Sequence, residues 1–347
     1  MDTLTHALSG ALLARATASR SAPPRSIPRR VAAGFFACAA PDLDFIFGFA
    51  GPVEYLLNHR GITHSLVLLP LWAFIFSWIL AKVLREPGGW RALYGVTALA
   101  LGAHIAGDVI TSYGTMVLAP FSDWRAAIGT TFIIDLWFSG VILAGLAGSA
   151  VLFRSRIPSA AGCALLVAYV GFQYVQRQHA LEFAEQFVMT KGISGARISA
   201  QPRPVTPFNW TVFVSDEEAH RFAHVNLLRT EPKPYRPGDG FVAKLDAPYL
   251  PLAQAIWVTR SRYGESDQDF IRQAWNSDAL DFFRWFAELP AFDGLTQGST
   301  CAWFVDLRFL TPGRDVMPFQ FGACRESPGT PWRAYERIGA GGRMPLR

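Results

Sequence analysis

Asn58-His59-Arg60-Gly61-Ile62-Thr63-His64-Ser65 runs directly into Leu66-Val67-Leu68-Leu69-Pro70-Leu71-Trp72-Ala73-Phe74-Ile75-Phe76-Ser77-Trp78-Ile79-Leu80-Ala81. Two imidazoles, a guanidinium and two hydroxyls stand in front of an apolar run that carries no charge, so the polar cluster reads as lying where a membrane helix begins. Thr63 or Ser65 is placed to cap that helix. Its free N–H groups and positive dipole end would then face His59 and His64 and favour anions, phosphate included.

Composition supports a membrane reading. The 347 residues are 51% hydrophobic and the mean hydropathy is +0.20, high for a soluble protein. The apolar residues gather before about residue 178 in runs near the roughly 20 residues that cross a bilayer, whereas the remainder has ordinary soluble composition. The expected fold is an α-helical polytopic membrane domain over 1–178, with about five to six membrane helices, followed by a smaller α+β, β-rich soluble domain over 179–347.

The first apolar stretch, 1–14, is short and has Asp2 where a signal peptide carries basic residues, so it reads as an uncleaved, short or half-inserted helix. Residues 15–30 form a linker with Arg15, Arg20, Arg25, Arg29 and Arg30 and no acid. Further helices are expected over 31–49, 65–84, 92–112, 132–153 and 157–175, with a turn at Arg154-Ser155-Arg156 before the last. The basic loops 15–30, 82–91 and 154–156 alternate with basic-poor loops 49–62 and 113–131, which places the first set in the cytoplasm and the soluble domain outside. On that topology His6, Asp42, Asp44, His59, His64, His104, Asp108 and Asp135 all fall at or near the outer helix ends.

Ionisable residues inside membrane segments are costly and face a bundle interior or a cavity. His104 and Asp108, four apart, share one helix face and can reach one ion from a rigid support. With His59 and His64 they form a donor set suited to a divalent metal, zinc first and manganese second. Asp42 and Asp44 could bridge or orient ligands and admit a second ion, while Arg60 and Arg125 could hold a phosphate. The same residues could instead hydrogen-bond one another; Asp42 and Asp44 could mark a helix end in water, and Asp135 could be a first-turn acid.

Pro41-Asp42-Leu43-Asp44, His59-Arg60-Gly61-Ile62-Thr63-His64-Ser65-Leu66 and His104-Ile105-Ala106-Gly107-Asp108, followed by Thr111, Gly114 and Leu118-Ala119-Pro120, recur in an order that resembles the YdjM-like family of bacterial inner-membrane proteins, regarded as metal-dependent hydrolases. The resemblance covers about residues 1–153; Asp123, Arg125 and Asp135 resemble its longer members, which carry an extracytoplasmic β-rich tail. It implies a helical metal site with Asp44, His59, His64, His104 and Asp108 as ligands. His6 is a further candidate ligand, and Asp42, Asp135 and Arg60 are candidates for base, orienter or phosphate contact.

In the tail, 178–189 reads as a helix and Trp210-Thr211-Val212-Phe213-Val214 as a strand that turns at Ser215-Asp216-Glu217-Glu218 and returns over 221–228. His220 and His224 are expected to point to one side, into solvent. A helical segment is expected over 267–289 and strands over 302–309 and 316–321, the last two joined by Thr311-Pro312-Gly313-Arg314-Asp315 and flanked by Cys301 and Cys324, which pair or remain buried thiols. Cys38 and Cys163 are helix-packing residues, since no Cys-x-x-Cys spacing exists.

The net charge of +5 does not argue for nucleic acid, because the arginines of the inferred cytoplasmic loops would contact anionic lipid. The expectation is therefore an inner-membrane metal-dependent hydrolase, a phosphoesterase acting on a lipid or membrane-proximal substrate at the outer face. An ion or proton pathway, or a metal-stabilised scaffold without turnover, uses the same residues.

Overall fold

A computed structural model describes residues 1–19, 21, 23–152, 155–296, 300–314, 317–327, 329–339 and 342–346. Arg20, Phe153, Arg154, Asp315 and Val316, all within expected loops or elements, lie outside the described residues. The chain divides into two compact units, Met1–Phe47 with Asn58–Val175, and Gly48–Leu57 with Gln176–Arg347.

The first unit opens with α1 (Thr3–Ala16), whose N-terminus is capped by the Asp2 carboxylate accepting the Thr5 N–H at 3.0 Å. It packs on α2 (Ser26–Ala39) through glycines: a Cβ built on Gly10 would lie 2.1 Å from the Gly34 carbonyl oxygen. Only backbone fits there, which is how small residues let apolar helices touch. Pro41 has no N–H to continue α2, and the chain tightens into a 3₁₀ segment over Ala40–Phe49 that carries Asp42 and Asp44. Along the chain then come α3 (Pro52–Asn58), almost all of it assigned to the second unit, a 3₁₀ turn at Ile62–His64, α4 (Leu69–Val83), α5 (Gly89–Val109), α6 (Leu136–Val151) and α7 (Ile157–Lys191), whose residues from Gln176 onward belong to the second unit.

Among the described residues three stretches, Ser26–Phe49, Gly89–Val109 and Ile157–Lys191, are long and apolar enough to cross a membrane. Counting Pro52–His64 and Leu69–Val83, bent by 82°, as one broken span gives four. The lower number than the sequence suggests has a length reason: α1, with 14 residues, and α6, with 16, extend only about 21 and 24 Å at 1.5 Å per residue, short of a core of about 30 Å. On α4, Leu71 at 52%, Phe74 at 43% and Trp78 at 46% exposure form an outward apolar face fit for lipid.

The capping expectation at 63–65 does not hold. α4 begins at Leu69 with Leu68 as an uncapped N-cap and Pro70 in its first turn. The Ser65 hydroxyl donates to the Ala119 carbonyl and accepts the Val67 N–H at 3.1 Å, so it shapes the turn before the helix. The expected helices over 157–175 and 178–189 are one helix, because the polar run Gln176-Arg177-Gln178 changes its surroundings without interrupting its hydrogen bonds.

The second unit has two sheets. In the first, β1 (Arg197–Pro202), β2 (Asn209–Ser215) and β3 (Ala219–Asn226) are antiparallel, and β4 (Leu250–Pro251) and β5 (Val258–Ser261) both pair with β3. After α8 (Phe241–Asp246), α9 (Gln268–Trp275) and α10 (Asp281–Phe286), the second sheet is an antiparallel meander of β6 (Pro290–Leu295), β7 (Cys301–Asp306), β8 (Phe321–Cys324), β9 (Arg333–Ile338) and β10 (Gly342–Pro345). Strand alternation assigns two cores. Trp210, Val212 and Val214 pack with Ala180 and Ala184 of α7, while Phe213 and Phe222 pack with Leu289, Ala291, Val305 and Leu307.

That second core corrects the reading of His220 and His224. They share a face, but it turns towards other protein: His220 is buried and its Nε2–H donates to the Pro290 carbonyl at 2.8 Å, while Nδ1 meets Ser215 Oγ at 2.7 Å. The helix expected over 267–289 is split into α9 and α10 by a turn, and the strand expected over 302–309 stops at Asp306, whose carboxylate accepts the Arg308 N–H. The strand expected over 316–321 begins only at Phe321. Cys301 and Cys324 face each other in register and are bonded as a disulfide.

Two outcomes follow from this packing. Gly10→Val drives a side chain into the α2 backbone and should cost about 1–3 kcal/mol or more, read as a lower melting temperature in detergent, while Gly95→Ala, which meets open space, should not. Burial chiefly, with the charge of Arg262, pushes the His220 pKa below its ordinary 6.5. The unfolded chain then takes up a proton that the folded imidazole refuses, so stability is full above about 6.5 and declines as pH falls below it. Melting curves between pH 7.5 and 5.5 should show that decline, shallower in His220→Gln.

Candidate metal centre

Four elements of the first unit deliver the ionisable residues to one place: α1 brings His6, the 3₁₀ segment Asp42 and Asp44, the turn before α4 His59, Arg60 and His64, and α5 His104 and Asp108. His6, Asp44, Arg60, His64, His104 and Asp108 are all buried. Charges so far from water persist only when paired, hydrogen-bonded or bound to metal.

The imidazoles are oriented by what their Nδ1 atoms meet. His104 Nδ1 lies 2.6 Å from the Cys38 carbonyl, an acceptor only, so that nitrogen carries the proton. His64 Nδ1 lies 2.9 Å from Thr63 Oγ1, which itself donates to Asp44 Oδ2 at 3.1 Å, so Thr63 accepts from His64. In each neutral ring Nε2 is then the lone-pair nitrogen, and the two Nε2 atoms face each other at 2.9 Å. Two acceptors that close repel unless a proton or a cation relieves them.

Carboxylates complete the group. Asp108 Oδ2 lies 3.1 Å from His64 Nε2 and 3.4 Å from His104 Nε2; Asp42 Oδ1 lies 3.8 and 3.6 Å from the same nitrogens. Asp108 Oδ2 and Asp42 Oδ2 are buried and neither has a hydrogen-bond partner among the described residues. Donor atoms of His6, Asp42, His104 and Asp108 lie within 4.8 Å of one another, as do those of His6, Cys38 and His104. Nitrogen and carboxylate donors with protonated Nδ1 atoms held from behind fit a divalent cation.

The other expected residues take different places. Asp44 is saturated: Oδ1 pairs with His59 Nδ1 at 2.7 Å, and Oδ2 accepts the Arg60 N–H at 2.9 Å and the Thr63 hydroxyl. His59 therefore lies across Asp44, its ring 6.1 Å from that of His64 and edge-on to Tyr113. His6 stacks on His104 with centroids 3.7 Å apart and bonds Asp108 Oδ1 through Nε2 at 3.1 Å. Asp108 Oδ1 also accepts from the Met1 amino group and from Arg60 Nη2, the latter at 2.8 Å.

Arg60 sits at φ +60, a left-handed conformation uncommon for a side-chain-bearing residue, and its Nη1 donates to Thr111 Oγ1 at 3.0 Å. Its Nε is buried without a hydrogen-bond partner among the described residues. Asp135 stands apart as the N-cap of α6, its Oδ1 accepting the Trp137 and Phe138 N–H groups and its Oδ2 the Tyr169 hydroxyl at 2.8 Å. Arg125 donates to the Tyr113 carbonyl beside Gly114. The supporting Cys38 carbonyl and the Tyr113 ring under Arg60 went unread, since a backbone acceptor leaves no residue-type signal and an aromatic near an interface has many uses.

Residues 1–180 match the family model described as "YdjM inner membrane protein". Among curated proteins, the "Uncharacterized protein YfhP" of Bacillus subtilis is 28% identical over 182 residues, covering 51% of this chain and 54% of that protein. The chain thus spans about half the length of the curated relative it matches. No solved structure matches.

Elemental analysis of the detergent-purified protein should find a divalent metal that His104→Ala and Asp108→Ala lose. Asp44→Asn, which disturbs only the orienting bonds, should retain the site with about 10–100-fold weaker affinity, and Asp135→Asn should leave metal content unchanged.

Proposed function

The chain belongs to the YdjM inner membrane protein family, and on that premise we propose that it is a multi-pass, membrane-embedded metal-dependent hydrolase cleaving a phosphoester of a lipid or other membrane-proximal substrate. The observation that carries this reading is the pair of facing imidazole Nε2 atoms beside two buried carboxylate oxygens without hydrogen-bond partners. His64, His104, Asp108 and Asp42 would hold the ion, zinc ahead of manganese for such a donor set. A bound divalent cation supplies Lewis-acid polarisation of a phosphoryl oxygen and a water acidic enough to attack near neutral pH.

The chain's own groups have separable roles in this reading. Arg60, fixed by Asp108 and Thr111, keeps Nε as a donor for a phosphoryl oxygen. Asp42, whose side chain is 11% exposed, is the carboxylate best placed to accept a proton, since every oxygen of Asp44 is already engaged. His6 and Asp44 orient Asp108, His59 and His64. Asp135 serves the reaction indirectly, by fixing the start of α6.

A lipid substrate is supported by the loop tied to the site. Met116 N–H donates to the Arg60 carbonyl and Leu66 N–H to that of Val117, while Phe121 is 82% and Trp124 59% exposed. Such an apolar rim lies easily in the interfacial layer of a bilayer. The disulfide in the tail supports an extracytoplasmic position for it, where thiols are oxidised.

Release of phosphate from phospholipid or polyprenyl-phosphate vesicles should be metal-dependent, abolished in His104→Ala, and lowered at least tenfold in Arg60→Lys with metal content retained. Metal without turnover on any phosphoester would favour a structural ion, which the full burial of His64, His104 and Asp108 also suits. Alkaline phosphatase fused to the C-terminus should be active in cells and a green fluorescent protein dark; the reverse would place the tail in the cytoplasm.

A further inference from the structure

Away from the metal centre, the second unit buries a guanidinium that no acid among the described residues neutralises. Arg203 follows β1 and is 5% exposed. Its Nε donates to Thr211 Oγ1 at 2.7 Å and its Nη1 to the Arg308 carbonyl at 3.0 Å, while Nη2 is buried with no partner. The acids near Arg308 are committed to Arg308 itself: Asp306 binds its Nε and Nη2, and Glu288 its Nη1, each at 2.8 Å. Burial lowers the Arg203 pKa to about 10, and no carboxylate among the described residues offsets it.

The neighbours of Arg203 belong to one rung of the sheet. Gln201 pairs with Thr211 and Thr211 with His224, so the three side chains share a face. His224 Nδ1 lies 2.8 Å from Thr211 Oγ1, and its ring is 5.8 Å from that of Tyr249. Tyr249 is fully buried and its hydroxyl, like Arg203 Nη2 and Gln201 Oε1, has no partner among the described residues. An unpaired buried charge and an idle hydroxyl donor in one network cost several kcal/mol in an apolar interior. One negative charge there would answer both deficits.

We propose that Arg203 Nη2 and the Tyr249 hydroxyl bind a small monovalent anion of the chloride class inside the tail. Size follows from burial: Arg203, Thr211 and Tyr249 are almost wholly enclosed, which excludes a bulky carboxylic or phosphate ester. Valence follows from charge: one guanidinium stands unneutralised beside a half-buried imidazole whose pKa is held at about 3 by burial and by Arg203. The turned-in amide of Gln201 can present its nitrogen to the same anion.

The test uses the full chain in detergent at constant ionic strength, with sodium chloride replaced stepwise by sodium gluconate. Above half-saturation, each tenfold rise in chloride should raise the folded-to-unfolded ratio of the tail about tenfold. Tyr249→Phe, which keeps the charge and shape, should shift half-saturation upward by about tenfold, and Arg203→Met should abolish the response. Crystals grown in bromide should show an anomalous peak at Arg203 Nη2. Equal melting in chloride and gluconate for wild type and Tyr249→Phe, or a site filled by water without anomalous signal, overturns the proposal.

Discussion

The first unit depends on two imidazoles whose Nε2 atoms face each other at 2.9 Å. Their orientation is imposed from outside the pair, by the Cys38 carbonyl behind His104 and by Thr63 and Asp44 behind His64. Neither ring can turn away without losing a bond in a place where water cannot replace it. The arrangement therefore holds both Nε2 atoms towards Asp108 and Asp42, as a preorganised group able to hold a metal ion would require.

Much of the surrounding architecture serves that placement. The glycine contact of α1 with α2 brings two backbones close enough for His6 to stack on His104 of α5. Pro41 ends α2 one residue before Asp42, and the tighter 3₁₀ winding that follows turns Asp42 and Asp44 to opposite tasks: the first meets the lone-pair nitrogens, the second gathers His59, Arg60 and Thr63. Asp108 does both at once, with one oxygen for cations on the protein and the other for the imidazoles.

The sequence announced the site more readily than the spans around it. His104 and Asp108 were legible because i and i+4 on a helix share a face, and the residues around His59 and His64 because charge beside a long apolar run needs a reason. Which of these side chains touch was not legible: the distinction between Asp42 and Asp44 lies in a 3₁₀ winding that two residues of spacing cannot reveal. Among the described residues three stretches, or four with the bent pair, are long and apolar enough to span, while α1 is short, as its sequence suggested. In the tail, alternation located β2, but the face carrying His220 and His224 could be assigned only once a second sheet was known to cover it.

Arg60 carries one more implication. Its left-handed backbone is a conformation glycine adopts freely and arginine adopts at a cost of about 1–3 kcal/mol, and the residue after it is already a glycine. A chain optimised for stability alone would have the smaller residue in both places. The guanidinium at position 60 is thus held against the local preference of the backbone, and thermostabilising this protein by relaxing that turn would remove the side chain that faces Asp108, setting durability and site chemistry in direct opposition at a single residue.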